Sequence, residues 1–266
     1  MTSQATYQAL EVTIADHVAH IKLTRPEVLN RFDATLHCEF TDVINALNGD
    51  PAVRAVLLTS TGKVFSAGGD FDLMHACHES AAVRRETIEQ ARAVLSSLTG
   101  LVQPIVVGVQ GPVIGLGATV VLACDAVVAV KSASLSDAHV AMGLVAGDGG
   151  ALVWPQAAGM LRARRYLLTG DAISAEQGYQ FGLVTDLVDT VDEVEPAAAK
   201  LARRIASLPP LAVQGTKRAL NQVTGLRAGE VVEAALLQEM DTLASDDLLE
   251  AIAAFTEKRR AEFTGN

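Results

Sequence analysis

Two separate stretches of the chain place glycines where an apolar, strand-like run gives way to the start of a helix. They are Phe65-Ser66-Ala67-Gly68-Gly69-Asp70-Phe71 and Gly111-Pro112-Val113-Ile114-Gly115-Leu116-Gly117. Turns of this kind expose backbone N–H groups, and the second adds the partial positive charge of a helix N-terminus. Two such donors aimed at one point hold the negative charge that develops on a carbonyl oxygen. Removing one donor from such a hole costs about 2.7–4 kcal/mol of barrier. Taken singly, each turn also fits a tight connection and nothing more. Neither matches GxGxxG or GxxxxGK[ST], which argues against a phosphate loop.

Other chemistry-bearing side chains are scattered. His75 and His78 follow the first glycine turn in a helix or loop, where they could border a substrate channel but read first as solvated surface, while His17, His20 and His37 lack metal-ligand spacing. No metal site is expected. Glu86 and Glu89, beside Arg85 and Arg92, read as salt-bridge partners on a helix. Cys38, Cys77 and Cys124 are odd in number and form no CxxC pair, which suits a reducing, cytoplasmic setting.

The elements that must position the two turns can be read from periodicity. Leu10 to Ile14 and Val18 to Leu23 carry β-branched residues around Ala15-Asp16-His17, the pattern of a hairpin. Asp33 stands at a helix N-cap, ahead of Leu36, Phe40, Val43, Ile44 and Leu47 at helical spacing. Short apolar runs at Ala55 to Thr59, Ile105 to Val109 and Ala126 to Val130 predict buried strands. A helix is predicted from about Ala81 to Leu98, and an apolar one after Gly117 reaching Ala123. From Val191 the texture turns helical, with helices predicted over 193–207, 209–222, 229–244 and 246–260. The expected division is an α/β core over 1–195 and a helical region over 196–266.

Composition narrows the partners. Of 266 residues, 50% are apolar and only 20% charged, which excludes a disordered chain. Twenty-one Lys and Arg against 31 Asp and Glu give a net charge of -10, with no basic block, so nucleic acid and anionic membranes are not expected partners. The opening residues MTSQATYQALEV lack the basic start and apolar core of a secretory signal. The tract Val113 to Val130 is about as long as a membrane span, but it carries Gly115, Gly117 and Asp125 and reads as a buried helix and strand.

Taken together and in this order, the segments resemble the enoyl-CoA hydratase/isomerase family, also called the crotonase superfamily. The likeness covers nearly the whole chain: Leu23-Thr24-Arg25-Pro26 with Leu29-Asn30, the turn Ala67 to Asp70, and the Gly111 to Gly117 loop followed by Ala123-Cys124-Asp125. It continues through Gly143-Leu144, Gly149-Gly150, Leu168-Thr169-Gly170, Gly182-Leu183-Val184 and Phe255 to Arg259. The resemblance implies an α/β fold, a spiral of repeated ββα units with a helical C-terminal region, assembled as a homotrimer or a dimer of trimers. It implies that the N–H groups of Gly69 and Leu116 form an oxyanion hole for the thioester of an acyl-CoA, coenzyme A being part of the substrate and no separate cofactor being needed. Ala67, Asp70, Phe71 and Asp72 would then lie along the CoA arm, with Phe255 and Lys258 near its adenine and ribose phosphate.

The hydratases of this family use two glutamates, and this chain has neither. Their positions fall on Thr119, four beyond Gly115, and His139, four before Gly143. A Thr hydroxyl orients water but is too weak an acid or base near neutral pH. His139 titrates in the useful range. Asp148, in the glycine-rich loop Gly147 to Gly150, can fold back on it, fix one imidazole nitrogen and leave the other to work as base and then acid. That spacing, with Val153-Trp154-Pro155, resembles the retro-Claisen branch of the superfamily, which cleaves C–C bonds of cyclic β-diketones. The expected activity is therefore that of an enoyl-CoA hydratase or isomerase, with C–C hydrolysis of a β-diketone or β-keto acyl-CoA, or acyl-CoA binding without turnover, as alternatives.

Overall fold

The computed structural model describes residues 7–266; the expectation that no secretory leader is present draws partly on residues 1–6, which lie outside the described residues. The chain opens with an antiparallel hairpin, β1 (Leu10–Ala15) and β2 (Val18–Leu23), with Leu10 opposite Leu23 and Ala15 opposite Val18. Asp16 and His17 turn it with φ of 50° and 62°, the left-handed pair that a two-residue hairpin loop requires. α1 (Ala34–Leu47) begins where the Asp33 carboxylate accepts from Leu36 N at 2.9 Å.

The remainder alternates between two sheets. β3 (Ala55–Ser60) leads to α2 (Phe71–Glu79) and α3 (Ala81–Gly100); β4 (Ile105–Val109) and β5 (Val113–Ile114) lead to α4 (Leu116–Leu122). β6 (Ala126–Val130) and β7 (Ser134–Ser136) lead through a 3₁₀ turn at His139–Met142 to α5 (Gly150–Ala158) and α6 (Met160–Leu167). β8 (Ile173–Ser174), α7 (Ala175–Phe181) and β9 (Asp186–Val188) complete this part. The larger sheet runs β1-β2-β3-β4-β6-β9 and the smaller β5-β7-β8. Each of the units β4-β5-α4 and β6-β7-α5 thus gives one strand to each sheet before its helix. This is the repeated ββα spiral.

Alternate residues of the central strands serve two different layers, as the two-residue period of a strand requires. Val56, Leu58, Ile105, Val107, Val127 and Ala129 enter the main core. Ala55, Leu57, Val106 and Val128 face the other way, onto Ala198, Ala202 and Ala206 of α8 (Val191–Ala206). Being covered on both faces is why these strands read as unbroken apolar runs. The alanines recur every fourth residue, one stripe of a helix, and their small side chains let α8 lie close on the sheet.

The C-terminal region departs from expectation at one place. The helices predicted over 209–222 and 229–244 are one continuous helix of 33 residues, α9 (Pro210–Thr242), followed by α10 (Asp246–Glu257). Gly225 lies in the expected gap and Gly229 at its end, yet each helical glycine costs only about 1 kcal/mol relative to alanine. The helix is tied down on both sides of them. Lys217 Nζ donates to Gln103 O at 2.8 Å and pairs with Asp125 at 2.7 Å, and Asn221 Nδ2 donates to Thr99 O at 2.7 Å. Beyond the glycines Val232, Ala235 and Leu236 are buried. The tract Val113 to Val130 forms β5, α4 and β6. Among the described residues no helix is long and apolar enough to cross a membrane.

Candidate active site

The two glycine turns lie against each other. Phe65 N donates to Pro112 O at 3.0 Å and Ile114 N to Ser66 O at 3.0 Å, a seam of parallel bridging between the loops. Gly68 has φ of 82°, and a Cβ there would stand 2.7 Å from Ile114 O, so only glycine permits this approach. Ser66 Oγ braces the turn by donating to Asn30 O at 2.8 Å and accepting from Gly68 N at 3.2 Å. On the other side Gly115 N donates to Ser136 O at 2.9 Å and α4 starts at Leu116, so the Leu116 N–H belongs to an unpaired first helical turn. Outside regular helix and strand ladders, no backbone hydrogen bond of the described residues consumes the Gly69 or the Leu116 N–H.

Both residues line a small inner cavity of about 60 Å³, together with Asp70, His139, Asp148 and Glu239. An outer cleft of about 510 Å³ shares Gly69 and His139 with it and extends past Ala67, Phe71, Arg31 and Phe255. The outer volume is that of an ordinary small-molecule site, roughly 300–1,000 Å³.

His139 sits at the junction, on the 3₁₀ turn after β7. Its Nδ1 is 2.6 Å from Asp137 Oδ1, and its Nε2 is 3.2 Å from Asp148 Oδ2 and 4.0 Å from Glu239 Oε1. Thr119 Oγ1 donates to Asp148 Oδ1 at 3.1 Å. Burial alone would push the imidazole toward its neutral form, but Asp148 and Asp137 outweigh it and raise the His139 pKa well above the ordinary value. Burial likewise favours the neutral Asp148 carboxyl, yet the His139 charge and the bonds from His139 and Thr119 pull its pKa below the usual range. For Glu239, burial and then Asp148 push the pKa up to about 8. The atoms offered by His139, Asp148 and Glu239 lie within 4.8 Å of one another, a spacing small enough for a cation. The raised His139 pKa puts a positive charge at the centre of this cluster.

The structure brings Gly69, Leu116, Asp70, His139 and Asp148 to the inner cavity, and Ala67, Phe71 and Phe255 to the outer cleft. Phe71 and Phe255 meet edge to face with centroids 5.4 Å apart. Asp70 is occupied structurally, capping α2 at Leu73 N (2.8 Å) and paired with Arg31. Asp72 is exposed, 3.9 Å from Arg31, and lines neither cavity. Thr119 is buried and touches the site only through Asp148. Lys258 is the exposed, left-handed C-cap of α10, φ 56°, and lines neither cavity. Glu89 pairs with Arg92 at 2.7 Å. His37 lines the inner cavity, with Nδ1 2.9 Å from Asp33 O.

Sequence reasoning missed two carboxyls. Asp137, not Asp148, takes the position on Nδ1 that orients the ring, and Asp148 faces the nitrogen turned to Glu239. Asp137 stands only two residues before His139, a local signal that was available. Glu239 has one too: it follows the buried Val232, Ala235 and Leu236 on α9, where a charged residue is out of place.

Residues 13–266 match the family described as Enoyl-CoA hydratase/isomerase. The chain is similar to the crotonyl-CoA hydratase of Syntrophomonas wolfei, 30% identical over 97% of this chain and 98% of that protein. It is also similar to the 1,2-epoxyphenylacetyl-CoA isomerase of Escherichia coli, 30% identical over 93% and 95%. Among solved structures, an enoyl-CoA hydratase/isomerase from Mycobacterium paratuberculosis superposes with a TM-score of 0.88 at 33% identity, covering 92% of this chain and 97% of that one.

Proposed function

The chain belongs to the enoyl-CoA hydratase/isomerase family, and from that premise we propose that it polarises the thioester of an acyl-CoA between the Gly69 and Leu116 N–H groups. Proton transfer at the acyl carbons then passes through His139 and Asp148. The observation that carries this reading is that two backbone donors, neither consumed by a loop hydrogen bond, line one cavity with a buried imidazole. A thioester oxygen within about 2.7–3.1 Å of both donors has its enolate charge stabilised in a cavity with little water. His139 Nε2 and the Asp148 carboxylate face the same space, so a water held there can pass its proton to Asp148, beside the positive His139, as its oxygen adds across an enoyl C=C bond. Thr119 keeps Asp148 aimed.

Ala67, Phe71 and Phe255 along the outer cleft support a CoA arm running there, bordered by Asp70 and Asp72, with Phe255 and Lys258 toward the nucleotide end. Leu161, Leu211 and Leu226 are 83%, 81% and 74% exposed, which supports assembly into a trimer or a pair of trimers that covers them. The free thiols of Cys38, Cys77 and Cys124 suit a reducing cytoplasm.

A second reading is favoured by one observation: no carboxylate stands at position 119, and the His139–Asp148 pair can instead deliver water to a β-keto carbonyl. The same enolate then leaves as the C–C bond breaks. One experiment separates these. Crotonyl-CoA, a 3-ketoacyl-CoA and a cyclic β-diketone are each incubated with the protein and the products weighed by mass spectrometry. Gain of water with loss of enoyl absorbance is the expected result; a shortened or ring-opened acid favours the second reading. Binding of CoA esters with no product overturns both and leaves a binding protein.

A further inference from the structure

Glu239 reaches the inner cavity from α9, a hundred residues along the chain from His139. Its carboxyl is buried, its Oε1 stands 4.0 Å from His139 Nε2, and its Oε2 has no hydrogen-bond partner. The backbone is shaped to admit it: a Cβ at Gly147 would lie 2.5 Å from Ala235 O and 2.7 Å from Glu239 Oε2. The groups facing it are His139, Asp137 and Asp148, with the Cys77 thiol of α2 and the His37 ring of α1 across the same cavity.

Charge counting limits what Glu239 can be. One imidazolium already answers two buried carboxylates, so a third ionised carboxylate would leave the cluster with two uncompensated negative charges in a nearly dry space. A proton on Glu239 removes one of them.

We propose that Glu239 is held as a neutral carboxylic acid and donates the proton that the acyl α-carbon receives, supplying from the C-terminal helix the second carboxyl that the chain lacks at Thr119. In that step the Glu239 O–H bond breaks and its electron pair stays on the carboxylate. The enolate's electron pair forms the new C–H bond, and the thioester C=O is restored as the charge leaves the Gly69 and Leu116 donors. The carboxylate left behind faces His139, whose positive charge stabilises it at the moment it forms. His139 itself is the poorer donor, because Asp137 and Asp148 both hold its protons in place. Burial and Asp148 set Glu239 at about 8, near the working pH, where a general acid is most effective.

This assignment rests on the enolate chemistry proposed above, and its test keeps the two apart. Exchange of the α-hydrogens of butyryl-CoA in D₂O is followed by mass spectrometry for the wild-type protein, E239Q and E239D, and the protonated-carboxyl C=O band is recorded by infrared difference spectroscopy. The expected results are a wild-type band at pH 7 that E239Q lacks, and exchange roughly 100-fold or more slower in E239Q with unchanged butyryl-CoA affinity. E239D, which keeps an acid, should recover part of the rate, a rescue that a merely structural role would not give. Exchange begins with abstraction of an α-proton by the ionised form, so the wild-type rate should rise with pH through about 8, a rise that E239Q lacks. Wild-type exchange rates in E239Q, or no band, overturn the proposal, as does tight Mn²⁺ binding that E239Q abolishes. No exchange even in the wild-type protein overturns the enolate reading instead; the band reports the Glu239 proton by itself.

Discussion

His139 Nδ1 lies 2.6 Å from Asp137 Oδ1, two residues earlier on the same stretch of backbone, and this bond turns Nε2 toward the cavity. The Asp137 side chain is fully buried, so its charge acts on the ring with little screening by water. Oriented histidines of this kind depend on the partner that holds the other nitrogen.

Asp137→Asn should therefore leave CoA affinity unchanged and lower kcat by roughly 10–100-fold, the usual consequence of removing such an orienting carboxylate. Asp137 also helps raise the His139 pKa, so the His139 limb of the kcat profile should move to lower pH in the variant. Steady-state kinetics across pH with the best turned-over CoA ester measure both effects. An unchanged profile would mean that Asp148 alone governs the ring.

Stability should carry the signature of the same cluster. The Glu239 pKa is raised from 4.5 to about 8 on folding. A group raised in this way gives its full favourable contribution below its unfolded pKa and loses it as pH rises through the folded one. His139, also raised, has the same sign above about 6.5. Asp148, lowered on folding, loses its contribution only in acid, as pH falls through its folded pKa. Wild-type protein should thus lose stability relative to E239Q from about pH 4.5 upward, the gap levelling above about pH 8 at on the order of a few kcal/mol. Urea unfolding of the two proteins at matched pH measures it. A gap that does not change with pH would show that folding leaves the Glu239 pKa where it is in the unfolded chain.

Gly68→Ala tests the seam between the glycine turns. The new Cβ would meet Ile114 O at 2.7 Å on a backbone with φ of 82°. Left-handed backbone strain in a non-glycine residue costs about 1–3 kcal/mol, and the contact with a backbone oxygen cannot be relieved by a side-chain rotation. The expected result is a loss of about 2 kcal/mol or more in urea unfolding, with turnover falling further than stability because the Gly69 donor moves against Leu116. Gly225→Ala, where nothing lies within 4 Å of the added methyl, should be neutral or stabilising.

How much of this was legible depended on distance along the chain. The hairpin, α1 and the central strands are local patterns: β-branched runs, an Asp cap, and apolar stretches buried on both sheet faces. The continuity of α9 was not legible, because Lys217 and Asn221 are anchored on atoms of residues 99–125, which no window around Gly225 contains. The site divides in the same way. The glycine turns and His139 announce themselves by composition and by resemblance. The carboxyl cluster is assembled from residues 119, 137, 148 and 239, and its charges acquire meaning only when the fold buries them together. Asp137 stands just past the end of β7, beside Ala138 at the start of a turn, where an aspartate needs no special purpose. Sequence reasoning therefore gave Asp148 the orienting position that Asp137 occupies.

The outer cleft offers the test that separates binding from chemistry. Phe255 is 67% exposed, and apart from its contact with Phe71 its ring has little to pack on. A large ring left open at the mouth of a cleft is available to a flat, apolar or aromatic part of a ligand, and an aromatic pair is worth about 0.5–1.5 kcal/mol beyond the area it buries. Phe255→Ala should raise KM for a CoA ester by roughly 2–12-fold. The value of kcat should hold, since Phe255 lines only the outer cleft and not the inner cavity, where Asp148 and Glu239 lie. Removing a surface ring with few contacts should leave the unfolding midpoint unchanged. Lys258→Ala, tested beside it against both the CoA ester and its dephospho form, should lose affinity only for the ester that carries the ribose phosphate. Equal affinity losses for the two forms would mean that Lys258 does not act on the ribose phosphate, and a fall in kcat in Phe255→Ala would mean that the outer cleft helps to shape the inner one.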